Sequence, residues 1–136
     1  MKVRPLPISI GQTYKDRAQY DLDPPYQRKS GIWKKHQQQK LVDSVLAGFD
    51  IPKIYMHSKP WHTNKKYAVA DGKQRLSALW SFIDNEFPLA NDFSLFDATD
   101  RPSAAPRAGT FFKDLSPRWQ DEFTGAYLDF VVISTP

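Results

Sequence analysis

The sequence predicts a compact α/β domain in which a small mixed sheet is flanked by helices. Some stretches repeat apolar residues with the period of a helix, whereas others alternate as short strands do. Eleven prolines and six glycines separate these stretches, as expected for turns and loops. A chain of 136 residues suits one packed core. We therefore treat residues 1–136 as a single domain.

Three segments have the signals of helices. The apolar period predicts helices near residues 36–48 and 74–85. A third helix is expected near residues 117–124, because Ser116 is a good N-cap and Pro117 suits the first helical position. The apolar faces of the first two helices consist of Leu41, Val42, Val45, Leu46 and Phe49, and of Leu76, Leu79, Trp80 and Ile83.

Short strands are expected between the helices. The stretch "PISI" is a candidate first strand, and the double proline in "QYDLDPPYQR" favours an extended segment. The stretches "IPKIYMH" and "KYAVA" are joined by a polar turn, which predicts a hairpin. The last strand is "YLDFVVIS", whereas residues 97–109 show no clean period and are expected to form a loop.

Composition excludes several kinds of site. Nineteen Lys and Arg against fifteen Asp and Glu give a net charge of +4, which favours anionic partners only mildly. Cysteine is absent, so disulfides, thiolate metal sites and cysteine nucleophiles are excluded. His57 and His62 flank a polar turn, where solvated side chains are more common than metal ligands, and His36 is expected at the surface. No signal-like or membrane-spanning stretch is present, which indicates a cytoplasmic protein.

The stretch "YAVADGKQRLSALW" places several donors where a strand passes into a helix. A helix start offers unpaired N–H groups and a partial positive charge, Gly72 permits close approach, and Lys73 and Arg75 add cations. This reading predicts an anion site with a solvent-facing Arg75. The structural alternative is equally simple: Asp71 is the N-cap and pairs with Arg75 four residues later.

A second cluster lies just before the first long helix. The stretch "PPYQRKSGIW" brings Arg28 and Lys29 together with the aromatic residues Tyr26 and Trp33. Arginine beside aromatics clamps phosphates or stacks on a base, and it also covers apolar surface with its stem. Both readings remain open for any one of these residues, and we expect the two clusters to line one pocket.

Several of these motifs, taken in order, resemble one protein family. The succession runs from "YQRKSGIW" through "YAVADGKQRLSALWSFIDNEF" to "FKDLSPRWQDEF" and "YLDFVVI". It resembles the amino-terminal domain of the GmrSD-type restriction and phage-defence proteins, over about residues 8–133. The signature of that family is Asp-Gly-Gln-Gln-Arg, and its fold is similar to that of ParB and sulfiredoxin.

The resemblance implies a nucleotide-binding domain that hydrolyses nucleoside triphosphates with Mg²⁺ in a protein acting on DNA. It implies catalytic roles for Asp71 and Arg75, with Asp71 also the metal ligand. Lys73 stands where the family usually has Gln, so triphosphate binding or turnover is expected to differ. The residues implied to bind the nucleotide are Tyr26, Gln27, Arg28, Trp33, Gly72, Lys73, Gln74 and Arg75.

The resemblance also implies regions beyond this domain. Relatives continue into a helical region and commonly a nuclease domain, so the chain is expected to be a fragment, or a stripped-down member, with a downstream nuclease or helical partner. No nuclease site is evident in this sequence. The alternative function is a module that senses a nucleotide or DNA without hydrolysis and regulates a separate nuclease. Direct DNA binding and association between copies are left open.

Overall fold

A computed structural model describes residues 1–22, 32–61, 64–93 and 105–134. Five strands form one sheet: β1 (Lys2–Ser9), β2 (Tyr20–Asp21), β3 (Ile54–Ser58), β4 (Tyr67–Asp71) and β5 (Tyr127–Ser134). The helices are α1 (Ile10–Lys15), α2 (Lys35–Leu46), α3 (Lys73–Ile83) and α4 (Pro117–Thr124). Single 3₁₀ turns occupy Arg17–Gln19 and Phe112–Asp114.

The sheet is mixed, with the strand order β1-β5-β3-β4-β2. β1 and β5 are antiparallel, as are β3 and β4. β3 is parallel to β5, and β2 is parallel to β4. The predicted α/β class and the hairpin of β3 and β4 are therefore confirmed. The likeness to ParB and sulfiredoxin stays a prediction.

Alternation along β5 shows which face of the sheet is covered. Leu128, Phe130 and Val132 are buried, whereas Tyr127 and Asp129 between them are exposed. The even-numbered residues of β5 therefore face the helices. The core also contains Val42 and Val45 of α2, Leu76, Leu79 and Phe82 of α3, and Phe123 of α4.

The three predicted helices are confirmed. The N-cap of α4 is Ser116 and its first residue is Pro117, although the Ser116 side chain makes no capping hydrogen bond. One apolar assignment is wrong, because Phe49 follows the end of α2 and is 64% exposed. Helix α1 was not predicted, since its six residues, Ile10–Lys15, are too few to show a helical period.

A buried polar contact joins α1 to α3. The indole Nε1 of Trp80 donates to Thr13 Oγ1 at 3.1 Å, and the Thr13 hydroxyl donates to the carbonyl oxygen of Ile10 at 2.7 Å. Both groups are thus satisfied inside the core. Among the described residues, no helix has the length and apolar character needed to cross a membrane.

The outer edge of the sheet is formed by β1, which pairs with β5 from Lys2 to Ser9. Pro5 and Pro7 lie opposite Val131 and Asp129. In an antiparallel pair, alternate residues direct their backbone groups toward the partner strand and away from it. Because proline has no N–H to donate, both prolines lie at positions whose backbone groups point away from β5. The even-numbered residues of β1 form the backbone hydrogen bonds to β5.

Candidate functional site

Gly72 turns the chain from β4 into α3. It is the N-cap of α3, with a φ of +107° that side-chain-bearing residues rarely adopt. A Cβ atom at this position would lie 2.9 Å from Cγ1 and Cγ2 of Ile54 and 3.2 Å from Nη2 of Arg75. The residue that approaches the glycine closely is therefore Ile54 of β3, which the sequence did not indicate. The N-cap is Gly72, so the alternative of Asp71 as N-cap is wrong.

Arg75 lies in the first turn of α3 and faces the protein. Its Nη2 donates to the carbonyl oxygen of Lys53 at 2.8 Å, and its side chain is only 17% exposed. Its Nε is buried without a hydrogen-bond partner among the described residues. The expectation of a solvent-facing Arg75 is wrong, because the guanidinium links α3 to the start of β3. This contact between residues 22 positions apart left no local signal in the sequence.

Asp71 has the opposite character. Its side chain is 72% exposed, and its Oδ2 lies 3.9 Å from Nη2 of Arg75. This distance is long for an ion pair, and pairs with an exposed partner contribute little to stability. The carboxylate is therefore available to solvent and to a ligand, and the half-buried guanidinium of Arg75 lies near it.

The first turn of α3 also contacts the second sequence cluster. The backbone N–H of Trp33 donates to Oε1 of Gln74 at 3.2 Å, and the Trp33 side chain packs against the core. These two predicted site residues, 41 positions apart in sequence, are thus adjacent in the fold. Tyr26, Gln27 and Arg28 lie outside the described residues, so the predicted shared pocket stays a prediction for them.

The start of α3 presents backbone donors. The first intrahelical bond runs from the N–H of Leu76 to the carbonyl oxygen of Gly72 at 3.1 Å. The N–H groups of Lys73, Gln74 and Arg75 precede it and have no N-cap side chain to accept from them. Such groups, with the helix dipole and the half-buried Lys73, are suited to hold an anion.

Metal ligands are sparse in the described part of the chain. No group of three or more His, Cys, Asp or Glu side chains there is arranged to hold a metal ion. His36 is exposed and His57 is half-buried, while His62 lies outside the described residues.

Comparison with known families identifies the domain. The profile of the GmrSD restriction endonuclease N-terminal domain matches residues 10–131. The chain belongs to this family. The match runs from the start of α1 into β5 and includes the Asp71–Arg75 turn. A search of curated proteins and a search of solved structures gave no match.

The family assignment fixes the broad context of this GmrSD N-terminal domain. Restriction endonucleases defend cells against foreign DNA such as that of phages, so the domain is of the restriction and phage-defence type. Lys73 is the first residue of α3, two positions after the exposed Asp71.

Proposed function

We propose that this domain binds a nucleoside triphosphate at the start of α3 and hydrolyses it with Mg²⁺. The domain would act in the cytoplasm as part of a restriction or phage-defence protein, with DNA cleavage carried out by a partner nuclease domain. The observation that carries the proposal is the start of α3 itself. Its first three N–H groups lack an N-cap side chain, and an exposed carboxylate lies beside them.

The triphosphate is the ligand that suits these groups. Unpaired N–H groups at a helix start bind phosphate oxygens, and the helix dipole favours their negative charge. Lys73 adds a cation in the same turn. Lysine in the first turn of a helix is electrostatically unfavourable, because the dipole there repels it. A phosphate beside Lys73 would relieve that repulsion, and the carboxylate of Asp71 is the structural alternative.

Mg²⁺ fits the donor set if the nucleotide supplies most of the ligands. This ion commonly binds through one or two carboxylates, water and substrate phosphates. Asp71 is 72% exposed and would be the protein ligand, which agrees with the lack of a three-residue metal cluster among the described residues. When bound, the ion would neutralise charge on the phosphates.

Arg75 has a positioning role in this proposal. Its bond to the Lys53 carbonyl oxygen holds the start of α3 against β3, and its positive charge lies near the Asp71 carboxylate. Gln74 holds the segment that contains Trp33 against the same turn. The nucleotide would thus meet a preorganised surface, and catalysis of phosphoryl transfer consists chiefly of positioning and charge stabilisation.

The test is to mix purified protein with each of the four nucleoside triphosphates and Mg²⁺, and to measure binding and phosphate release. We expect binding and release with at least one nucleotide. Asp71→Asn should abolish release while the fold is retained. Lys73→Gln should weaken binding about tenfold, the loss expected for one charge-assisted contact.

Matched controls separate the site from overall charge. Asp121→Asn and Lys113→Gln alter exposed residues outside this turn and should leave release and affinity unchanged. Binding without release in the parent protein would favour the alternative of a sensing module. Equal affinity of the parent protein and Lys73→Gln would remove Lys73 from the site. Absence of binding to all four nucleotides would refute the proposal.

A further inference from the structure

A cavity of about 550 Å³ lies at the other end of β4 from Asp71. Its lining includes Tyr20 and Asp21 of β2, which pair with Tyr67 and Ala68 at the start of β4. Asp71 ends the same strand, so the cavity and the start of α3 are separated by roughly the 16 Å length of a five-residue strand. The remaining lining residues are Lys15, Arg17, Ala18, Leu22, Lys65 and Trp80.

Cationic side chains outnumber carboxylates among the residues that line the cavity. Three of its lining residues are the cations Lys15, Arg17 and Lys65, and one is the carboxylate Asp21. Arg17 is held in place, because its Nη1 donates to the carbonyl oxygen of Tyr14 at 2.7 Å and its guanidinium carbon lies 4.1 Å from the centre of the Tyr14 ring. An arginine fixed in this way loses less conformational freedom when it binds an anion.

The aromatic floor of the cavity is too buried to stack on a base. Tyr20 is 4% exposed and Trp80 is 8% exposed. The edge of the Trp80 ring is further occupied by its hydrogen bond to Thr13. The cavity therefore offers charge and shape rather than ring faces, which suits a phosphate group better than a nucleobase.

An exposed ring is present on the neighbouring hairpin. Lys65 belongs both to the cavity and to the connection between β3 and β4, which is closed by a bond from the N–H of Lys59 to the carbonyl oxygen of Lys66 at 2.7 Å. Trp61 in this connection is 70% exposed. Proteins that bind single-stranded nucleic acid usually combine cations along the path of the sugar-phosphate backbone with aromatic rings on which bases stack.

We propose that this surface binds a single-stranded nucleic acid, with backbone phosphates in the cavity and a base stacked on Trp61. The proposal does not depend on nucleotide hydrolysis at the start of α3. It places two functions at opposite ends of β4, and α3 joins them, since it begins at Lys73 and carries Trp80 into the cavity.

The probe is a fluorescently labelled oligothymidylate, and its binding is followed by anisotropy over a series of salt concentrations. The double variant Lys15→Gln/Lys65→Gln should weaken binding at least tenfold near 0.1 M salt. It should also lower the slope of log K against log salt by about 1.4, since each phosphate contact to a single strand contributes about 0.7. Trp61→Ala should weaken binding at least fivefold, the lower end for loss of one stacked base.

The control is the double variant Lys40→Gln/Lys113→Gln, which removes the same charge from exposed residues outside the cavity and should change affinity less than twofold. An equal loss in this control would show attraction by net charge alone and would overturn the proposal. Competition by free ATP or inorganic phosphate as strongly as by unlabelled oligothymidylate would overturn it in favour of a small-anion site. Unchanged binding in Trp61→Ala would also contradict it.

One further pair of measurements separates the two proposals. Asp71→Asn should lose phosphate release and retain oligothymidylate binding, whereas Lys15→Gln/Lys65→Gln should show the reverse. Retained melting temperatures for all variants would confirm that each loss is local.

Discussion

Replacing Asp43 with Asn should stabilise the protein at neutral pH. Asp43 lies on α2, and its Oδ1 is buried without a hydrogen-bond partner among the described residues. Burial, and then the negative charge of Asp92, raises the pKa of the Asp43 carboxyl from 3.8 to about 6. Above that pH the folded protein must hold an unfavourable buried charge that the unfolded chain exposes to water.

The size of the effect follows from the two pKa values. The difference between them corresponds to about 3 kcal/mol of destabilisation well above pH 6, and partial exposure of the side chain reduces the expected cost to about 1–3 kcal/mol. The folded state binds the proton more tightly than the unfolded state. The cost is therefore fully present above pH 6, and it is relieved as the pH falls through 6 toward 3.8.

Urea denaturation of the parent protein and Asp43→Asn at pH 8 and pH 4.5 would measure this cost. We expect the variant to be more stable at pH 8 by about 1–3 kcal/mol and to lose most of that advantage at pH 4.5. Asp92→Asn should gain less, because burial is the larger cause of the raised pKa. A destabilised Asp43→Asn would show that the carboxylate has a favourable partner. A gain that does not change with pH would show that the gain does not come from removing a buried charge, and would refute the reasoning.

Two further predictions concern the packing around the site. Gly72→Ala should lower the free energy of unfolding by about 2–5 kcal/mol, because it combines an unfavourable φ with a Cβ that lies 2.9 Å from Ile54. Urea denaturation measures the loss. In the control Gly48→Ala the new Cβ meets nothing within 4 Å, so its loss of stability gives the contribution of the positive φ alone. Thr13→Val should lower the free energy of unfolding by about 1–3 kcal/mol, because Trp80 Nε1 loses its acceptor in the core. Tryptophan fluorescence follows the unfolding. Unchanged stability would indicate that another acceptor replaces the hydroxyl.

Much of the fold could be predicted because its signals are local. The buried faces of α2 and α3 show in the spacing of apolar residues that are close in sequence, and the buried face of β5 shows in its alternation. Pro117 marks the start of α4. Helix α1 gave no such signal, because one and a half turns are too short for a period to appear. Phe49 was misassigned because its spacing continued that of α2, although Gly48, with its positive φ of 80°, had already turned the chain.

The candidate site was predictable in position and less so in its details. The Asp-Gly turn located the start of α3 correctly. The burial of Arg75 depends on the Lys53 carbonyl oxygen, and the need for Gly72 depends on the Ile54 side chain, so both follow from the approach of β3 in three dimensions. The proximity of Trp33 to Gln74 was expected, whereas the bond that joins them uses a backbone N–H and so has no sequence signature.

The prolines of β1 limit how this domain can associate with other molecules. Of the residues in β1 that direct their backbone outward, only Val3 and Ser9 retain an N–H, so an incoming strand would find few donors along that edge. At the opposite edge, β2 comprises two residues in the part of the chain that the structure describes, a short template for strand addition. A nuclease domain or a second copy should therefore bind through side-chain surfaces, where recognition depends on sequence-specific shape and charge. The same arrangement protects the domain from growth into sheet aggregates if it is produced on its own.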